Sequence, residues 1–340
     1  MSQEADLNLS TGALGGVPSG GVPVSAVAEA PAGSIADNRL QIKKQRSLWG
    51  NAWRQFRRHK LAMAGLVVFV FFILATFFGT LVYPYEIDDI DFSLASGTLT
   101  WSHPFGTDSL GQDILARILW GGRVSIAVGL FAAAVAIVLG TAIGALAGFF
   151  GGFTDSLLMR ITDLFISLPQ LPLLLLISFL FKDSMTNFFE DKFGAGNMGV
   201  FVLIVVVIGV LNWMPTARLV RASFLATREK EFIEAARSIG ARQSSLIFKH
   251  ILPNVMSPII VAATLGVGSA IITESALSFL GLGFPSDIPT LGRMLYDAKD
   301  YIQLSPHEAL FPGMMIFLTV LAINYVGDGL RDALDPRKSQ

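Results

Sequence analysis

The side chains that could carry covalent or metal chemistry are sparse in this sequence and poorly placed for it. The histidines His59, His103, His250 and His307 fall in separate stretches, with no H-x-x-x-H spacing and no paired carboxylate. Cysteine is absent, which excludes disulfides, thiolate metal sites and cysteine nucleophiles. No serine or acid stands with a histidine as nucleophile and base, so the expected catalytic set is empty and no metal is expected. A G-x-x-x-x-G-K-[ST] phosphate loop is missing too, so ATP is not expected on this chain by that route. What remains is a set of ionisable residues within greasy surroundings. Glu274, followed by Ser275, lies inside an apolar run, Arg160 and Asp163 interrupt another, and "EAARSIGARQSSLIFKHILPN" at 234–254 is a polar island between two more. Ionisable groups at such places are suspects for moving a solute or transmitting a force.

The elements that must position them are membrane spans. The chain has 340 residues, 52% hydrophobic and only 15% charged, where a soluble domain carries about a quarter charged. Apolar runs exceed the roughly 18 residues that mark a crossing. Six spans are expected, near 61–83, 124–149, 157–181, 198–218, 255–280 and 309–326. Basic residues Arg39, Lys43, Lys44, Arg46, Arg54, Arg57, Arg58 and Lys60 precede the first span, and Arg218 to Lys249 is also rich in Lys and Arg. Residues 84–123 and 282–308 are acidic on balance. The positive-inside rule then puts both termini and a 219–254 loop in the cytoplasm. Charge is segregated by loop rather than pooled on one face, which argues against nucleic acid as a partner. Residues 1–38, rich in Ala, Gly, Ser, Val and Pro, read as a disordered tail without a signal-peptide pattern, and 39–60 as a basic cytosolic segment.

Within the 219–254 loop a helix-turn-helix is expected. Thr227 can cap a helix whose first turns carry Glu229 and Glu231, and Gly240 can take the left-handed conformation that ends it. Ser244 or Ser245 can cap a second helix, which Pro253 should stop at Leu252. Ala235 and Ala236 leave the first helix without bulk, so another protein could approach it closely. Arg160 and Asp163, three apart, suit a structural ion pair, and Pro169 and Pro172 should bend the third span. Glu274 lies about 28 Å along its helix from Val255 at 1.5 Å per residue. At that depth a role in the path and a structural contact are equally open.

The island at 234–254 resembles the E-A-A…G…I-L-P loop of the permease subunits of ATP-binding-cassette (ABC) importers. "HPFGTDSLGQDILARILWGGRVSIAVG" at 103–129 resembles the F-G-T-D-x-x-G-R-D…G-x-R-x-S segment of dipeptide and oligopeptide permeases, with Gln112 where the family usually has Arg. "TDSLLMRITDLFISLPQLPLLLL" at 154–176, "ESALSFLGLGFPSDIPTLGRML" at 274–295 and "LTVLAINYVGDGLRDALDPR" at 318–337 are similar to further family segments. "WRQFRRHKLAMAGLVV" resembles the N-terminal region of the second of the two permeases in such systems. The resemblance implies an all-α transmembrane protein with the six-helix importer permease fold over 61–337 and a cytosolic coupling helix-turn-helix. It implies import of dipeptides or oligopeptides across a bacterial inner membrane, with nickel chelates, glutathione or another small solute as the alternative. The implied partners are a sister permease, two ABC ATPase subunits that hold ATP and Mg, and an extracytoplasmic substrate-binding protein, all in membrane lipid. Glu234, Ala235, Ala236, Gly240, Ala241 and Pro253 are the implied coupling residues. Asp108, Gly111 and Asp113 match the outer motif and are expected to order that segment. A self-contained secondary transporter would need inverted repeats or chains of buried charge, and neither is visible.

Overall fold

The computed structural model describes residues 48–335; the tail at 1–38, most of the basic segment and the last five residues lie outside them. The described residues form helices joined by loops, the longest being the outer segment 83–113. A short helix α1 (Leu48–Arg58) precedes α2 (Lys60–Val82), which His59 caps by accepting from the Ala62 N–H at 3.1 Å. After an outer segment, α3 (Ile114–Phe150) runs for 37 residues, about 55 Å. Then come α4 (Gly152–Ser167), α5 (Gln170–Phe193), α6 (Gly196–Val210) and α7 (Met214–Arg228). The hairpin comprises α8 (Glu231–Ser238), α9 (Gln243–Ser245), a π-helical turn over Leu246–Ile251 and α10 (Leu252–Asn254). It leads into α11 (Met256–Phe279), α12 (Leu291–Ala298) and α13 (His307–Leu334). Five helices are long and apolar enough to cross a membrane, and α6 with α7, bent by 45°, make up to a sixth.

Two spans differ from expectation. The third is not 157–181: it is α5, and α4 is a separate helix. Pro169 lacks an N–H and biases Leu168 to extended backbone, which the structure shows at φ −77° and ψ 139°. Pro172 then falls in the first turn of α5, where a missing donor costs nothing. The expected bend is therefore a full break. The fourth span is interrupted at 211–213, with Pro215 in the first turn of α7.

α3 is the axis of the bundle, packed along α2, α6, α7 and α11. Its contact with α7 is made backbone to backbone. A Cβ on Gly140 would meet the Thr216 Cβ at 2.6 Å, one on Gly144 the Val220 Cβ at 2.9 Å, and one on Gly148 the Phe224 Cβ at 2.6 Å. In lipid, where apolar side chains gain little by leaving the solvent, small residues every fourth position let helices associate through dispersion. Side chains turned outward, such as Val67, Phe71 and Phe78 on α2, are apolar and exposed, as a lipid-facing surface requires.

The two ends of the bundle are chemically distinct. At one end Gln55 donates to the Asp332 carbonyl at 2.8 Å and Ser257 to the Leu334 carbonyl at 3.1 Å, so α1, the end of α13 and the start of α11 share a side. At the other, Ser96 donates to Glu308 at 3.1 Å and Arg117 lies 3.8 Å from Asp297. The loops 83–113 and 281–306 meet there.

Candidate functional site

The hairpin is built on a small core of its own. Ile233 and Ala236 of α8 pack with Leu246, Ile251 and Val255 against Phe149, Val220 and Phe224 of the long helices. Gly240, at φ +82°, ends α8 as expected. The Ala241 N–H donates to the Ala236 carbonyl at 3.1 Å and the Gly240 N–H to the Arg237 carbonyl at 3.0 Å, so a left-handed residue closes the helix and starts the return. The other local expectations need correction. Thr227 lies inside α7 and Lys230 is the residue before α8, with no side-chain cap. Ser244 and Ser245 are within α9, after Arg242. Pro253 does not stop the helix at Leu252. The preceding turn widens to π geometry, which accommodates the N–H that proline cannot offer to a carbonyl four residues back, and the break falls at Val255.

The two alanines face opposite ways. Ala236 is 8% exposed and part of the hairpin core, so it is not available to a partner. Ala235 and Glu234 are exposed, as are Gly240 and Pro253, while Ala241 is half-buried. Ala235 shares its outward face with Phe232 and with Ile239, which is 87% exposed. Positions i, i+3 and i+7 make one stripe on a helix, and this stripe of α8 is apolar and unpartnered among the described residues. Sequence reasoning misses Phe232 and Ile239. Their signal is present all the same, as one of two interleaved apolar stripes in an eight-residue helix.

Ion pairs and a carbonyl contact hold the base of the hairpin. Arg221 on α7 grips Asp155 on α4 with both nitrogens, one contact at 2.6 Å. That hydrogen bond holds the Asp155 carboxyl below the usual carboxylate range. Arg228 donates to the Phe149 carbonyl at 2.8 Å. The expected Arg160–Asp163 pair is replaced: Asp163 binds Arg218 at 2.6 Å, because α4 packs on α7, and Arg160 is exposed. Beside the N-terminus of α2, His59 lies 4.0 Å from Asp332 of α13.

At the opposite end, Asp113 begins α3. It accepts from the Ala116 N–H at 2.7 Å and lies 2.8 Å from His103 Nδ1 and 2.9 Å from the Tyr83 hydroxyl. Asp108 accepts from the N–H groups of Leu110 and Gln112, each at 2.9 Å, and burial pushes its carboxyl up against the opposing pull of Arg117. Gly111 is left-handed at φ +79°, and a Cβ there would run into the Asp91 carbonyl. Gln112 accepts from Arg117 and donates to the Ile87 carbonyl at 3.1 Å. The glutamine thus ties the outer loop to α3 by its two-sided amide, which an arginine could not do as an acceptor.

Glu274 is fully buried. Ser125 of α3 donates to it at 2.9 Å and Ser278 at 2.8 Å, and the Leu291 N–H at the start of α12 donates to Ser125 at 3.3 Å. The carboxyl fastens α3, α11 and α12 together. Ser275 packs tightly beneath Gly292 of α12. Pro169 and Pro172 are exposed at the α4–α5 break. The structure does not bring these four candidate path residues together.

A family profile described as the binding-protein-dependent transport system inner membrane component matches residues 140–340, and one for the N-terminal transmembrane domain of oligopeptide transport permease C matches residues 47–99. The dipeptide transport system permease protein DppC of Alkalihalophilus pseudofirmus is 40% identical over 86% of this chain and 90% of its own length. The glutathione transport system permease protein GsiD of Pectobacterium atrosepticum is 37% identical, covering 88% and 94%. The oligopeptide transport system permease protein OppC of Bacillus subtilis is 37% identical, covering 91% and 96%. By that profile and those relatives, the chain belongs to the multi-pass inner-membrane permease subunits of binding-protein-dependent ABC importers.

Proposed function

We propose that this chain imports dipeptides or oligopeptides as one half of a permease pair, and that α8 is its contact with an ATPase subunit. The observation that carries this reading is the exposed Phe232–Ala235–Ile239 stripe on a helix whose other face is locked into the bundle. A helix this short buries far less than the roughly 800 Å² per partner of a standard interface. It must seat in a shaped cleft, with Ala235 allowing close approach and Glu234 beside it available to a basic group. Because Ile233 and Ala236 pack on Val220 and Phe224, a push on the stripe is delivered to α7. The basic residues near the hairpin and α1 support a cytoplasmic side for that end of the bundle. ATP and Mg are held by the ATPase partners, and a binding protein delivers solute to the outer loops.

The relatives named for dipeptides and oligopeptides support the substrate class. A relative named for glutathione, itself a small peptide, makes that solute the second reading. The test is uptake of labelled di- to pentapeptides and of glutathione into vesicles carrying the assembled complex, with ATP and loaded binding protein. Uptake that proceeds without any ATPase subunit bound would reject the coupling scheme.

A further inference from the structure

The interruption of the fourth span opens onto a cavity of about 290 Å³, close to the lower limit for small-molecule sites. Its walls come from the middle of α3 (Ala133 and Ala136), from the break and the start of α7 (Asn212 and Thr216), and from the middle of α11 (Gly266 and Ser269). None of the lining residues is ionisable. Irregular backbone inside a bilayer is tolerated where it is packed in protein or lines a cavity, and Asn212, Pro215 and Thr216 at this break line one.

Two side observations point to an occupant. Thr216 is only 7% exposed, its methyl packs over Gly140, and its hydroxyl makes no hydrogen bond among the described residues. That hydroxyl is not sealed in protein but opens to the cavity, where an entering solute can reach it. Gly266 is the second. Gly140, Gly144, Gly148 and Gly209 each have a neighbour closer than 3.0 Å to a would-be Cβ, whereas at Gly266 such an atom meets only Ala133 Cβ, at 3.8 Å. Helix packing therefore does not require glycine there. The open space beside it is part of the cavity.

We propose that this cavity is where the chain touches the transported peptide, and that it takes a main-chain amide unit rather than a terminus or a side chain. A charged terminus would find no counter-charge in these walls. A peptide group offers one donor and one acceptor, which the Thr216 hydroxyl can answer in either role; the Asn212 amide beside it is already engaged, donating to the Ile208 carbonyl at 2.8 Å and accepting from Gln170 at 3.1 Å. Walls of Ala and Gly grip no side chain, so sequence preference is left to the delivery step. The assignment rests on the peptide reading above.

The test uses the full complex in proteoliposomes, with ATP and saturating binding protein loaded with a tripeptide that bears a benzophenone group. Irradiation during turnover is expected to label residues within 212–219 or 262–270. Thr216→Val keeps the shape and removes the hydroxyl, and is expected to slow uptake roughly 2- to 10-fold, the worth of one hydrogen bond, without loss of ATPase stimulation. Gly266→Leu is expected to slow uptake more than about tenfold while the complex still co-purifies. Labelling confined to other stretches with wild-type uptake intact overturns the assignment, as does unchanged uptake in both variants. Loss of co-purification in Gly266→Leu overturns it too, because a helix of the sister chain then fills the space. If the wild-type complex takes up no peptide at all, the peptide reading itself falls and this site with it.

Discussion

Replacing Ala236 by leucine tests which face of α8 looks inward. Ala236 packs among Ile233, Leu246 and Ile251, and leucine adds an isopropyl group where little room remains. Overpacking of that kind costs about 1–3 kcal/mol, which raises the open population of the hairpin roughly 5- to 150-fold. Trypsin can cut at Arg237 and Arg242 only when the hairpin opens, and the cutting rate follows the open population when reclosing is fast. Ala236→Leu should therefore be cleaved faster by that factor in the intact complex. Ala235→Leu, on the exposed face, should change stability by no more than about 0.5 kcal/mol and be cleaved nearly as wild type. It should nevertheless depress ATP-driven uptake, since the added bulk stands between α8 and its cleft. An inward Ala236 and an outward Ala235 are refuted if Ala236→Leu is cut at the wild-type rate while Ala235→Leu is cut much faster.

Further outcomes follow from other contacts. Glu274→Ala removes the acceptor for the Ser125 and Ser278 hydroxyls in a buried place, and should lower the stability of the detergent-solubilised complex by about 1–3 kcal/mol, read as an earlier thermal transition. Asp155 has a folded pKa below its ordinary 3.8, so its contribution is complete above that value and is lost only as pH falls through the folded one. Proteolysis between α4 and α7 should stay flat from neutral pH down to about 5, and Arg221→Gln should raise it across that range. Asp108 has the opposite sign: its folded pKa is raised by burial, so the outer segment should be firmest in acid and loosen as pH rises through that value. Asp108→Asn keeps an oxygen for the Leu110 and Gln112 N–H groups, and the protection factors of the 105–113 amides, corrected for intrinsic exchange, should then vary less with pH than in the wild type.

Most of the crossings were legible in the sequence as long apolar runs: five helices meet the test for a span, and the bent pair α6–α7 makes up to a sixth. Gly240 was legible for the same local reason, a small residue between two polar helices. What was hidden depends on distant parts of the chain. Ile233/Ala236 and Phe232/Ala235/Ile239 are equally apolar stripes, and only Phe149, Val220 and Phe224 decide which turns inward. The pairing of Asp163 with Arg218 rather than Arg160 depends on the packing of α4 against α7 in the same way. The start of the third span was misplaced because apolar content runs straight through Leu168, while the backbone obeys Pro169. The glycines at 140, 144 and 148 could have been recognised in the sequence as a helix contact, since their spacing alone is the signal.

That glycine seam has a mechanical result. Along the seam the two backbones approach closely, and Leu139 and Ile143 of α3 pack on Met214 and Ala217 beside it, so the pair is expected to turn as one beam. One end of the beam is seated on the hairpin core; the other, about 55 Å away along α3, ends at Asp113 and the Arg117 contacts. Torque applied at the hairpin is thus expected to be felt at the opposite end of the bundle, with the joint between α4 and α5 left to supply whatever compliance the cycle demands.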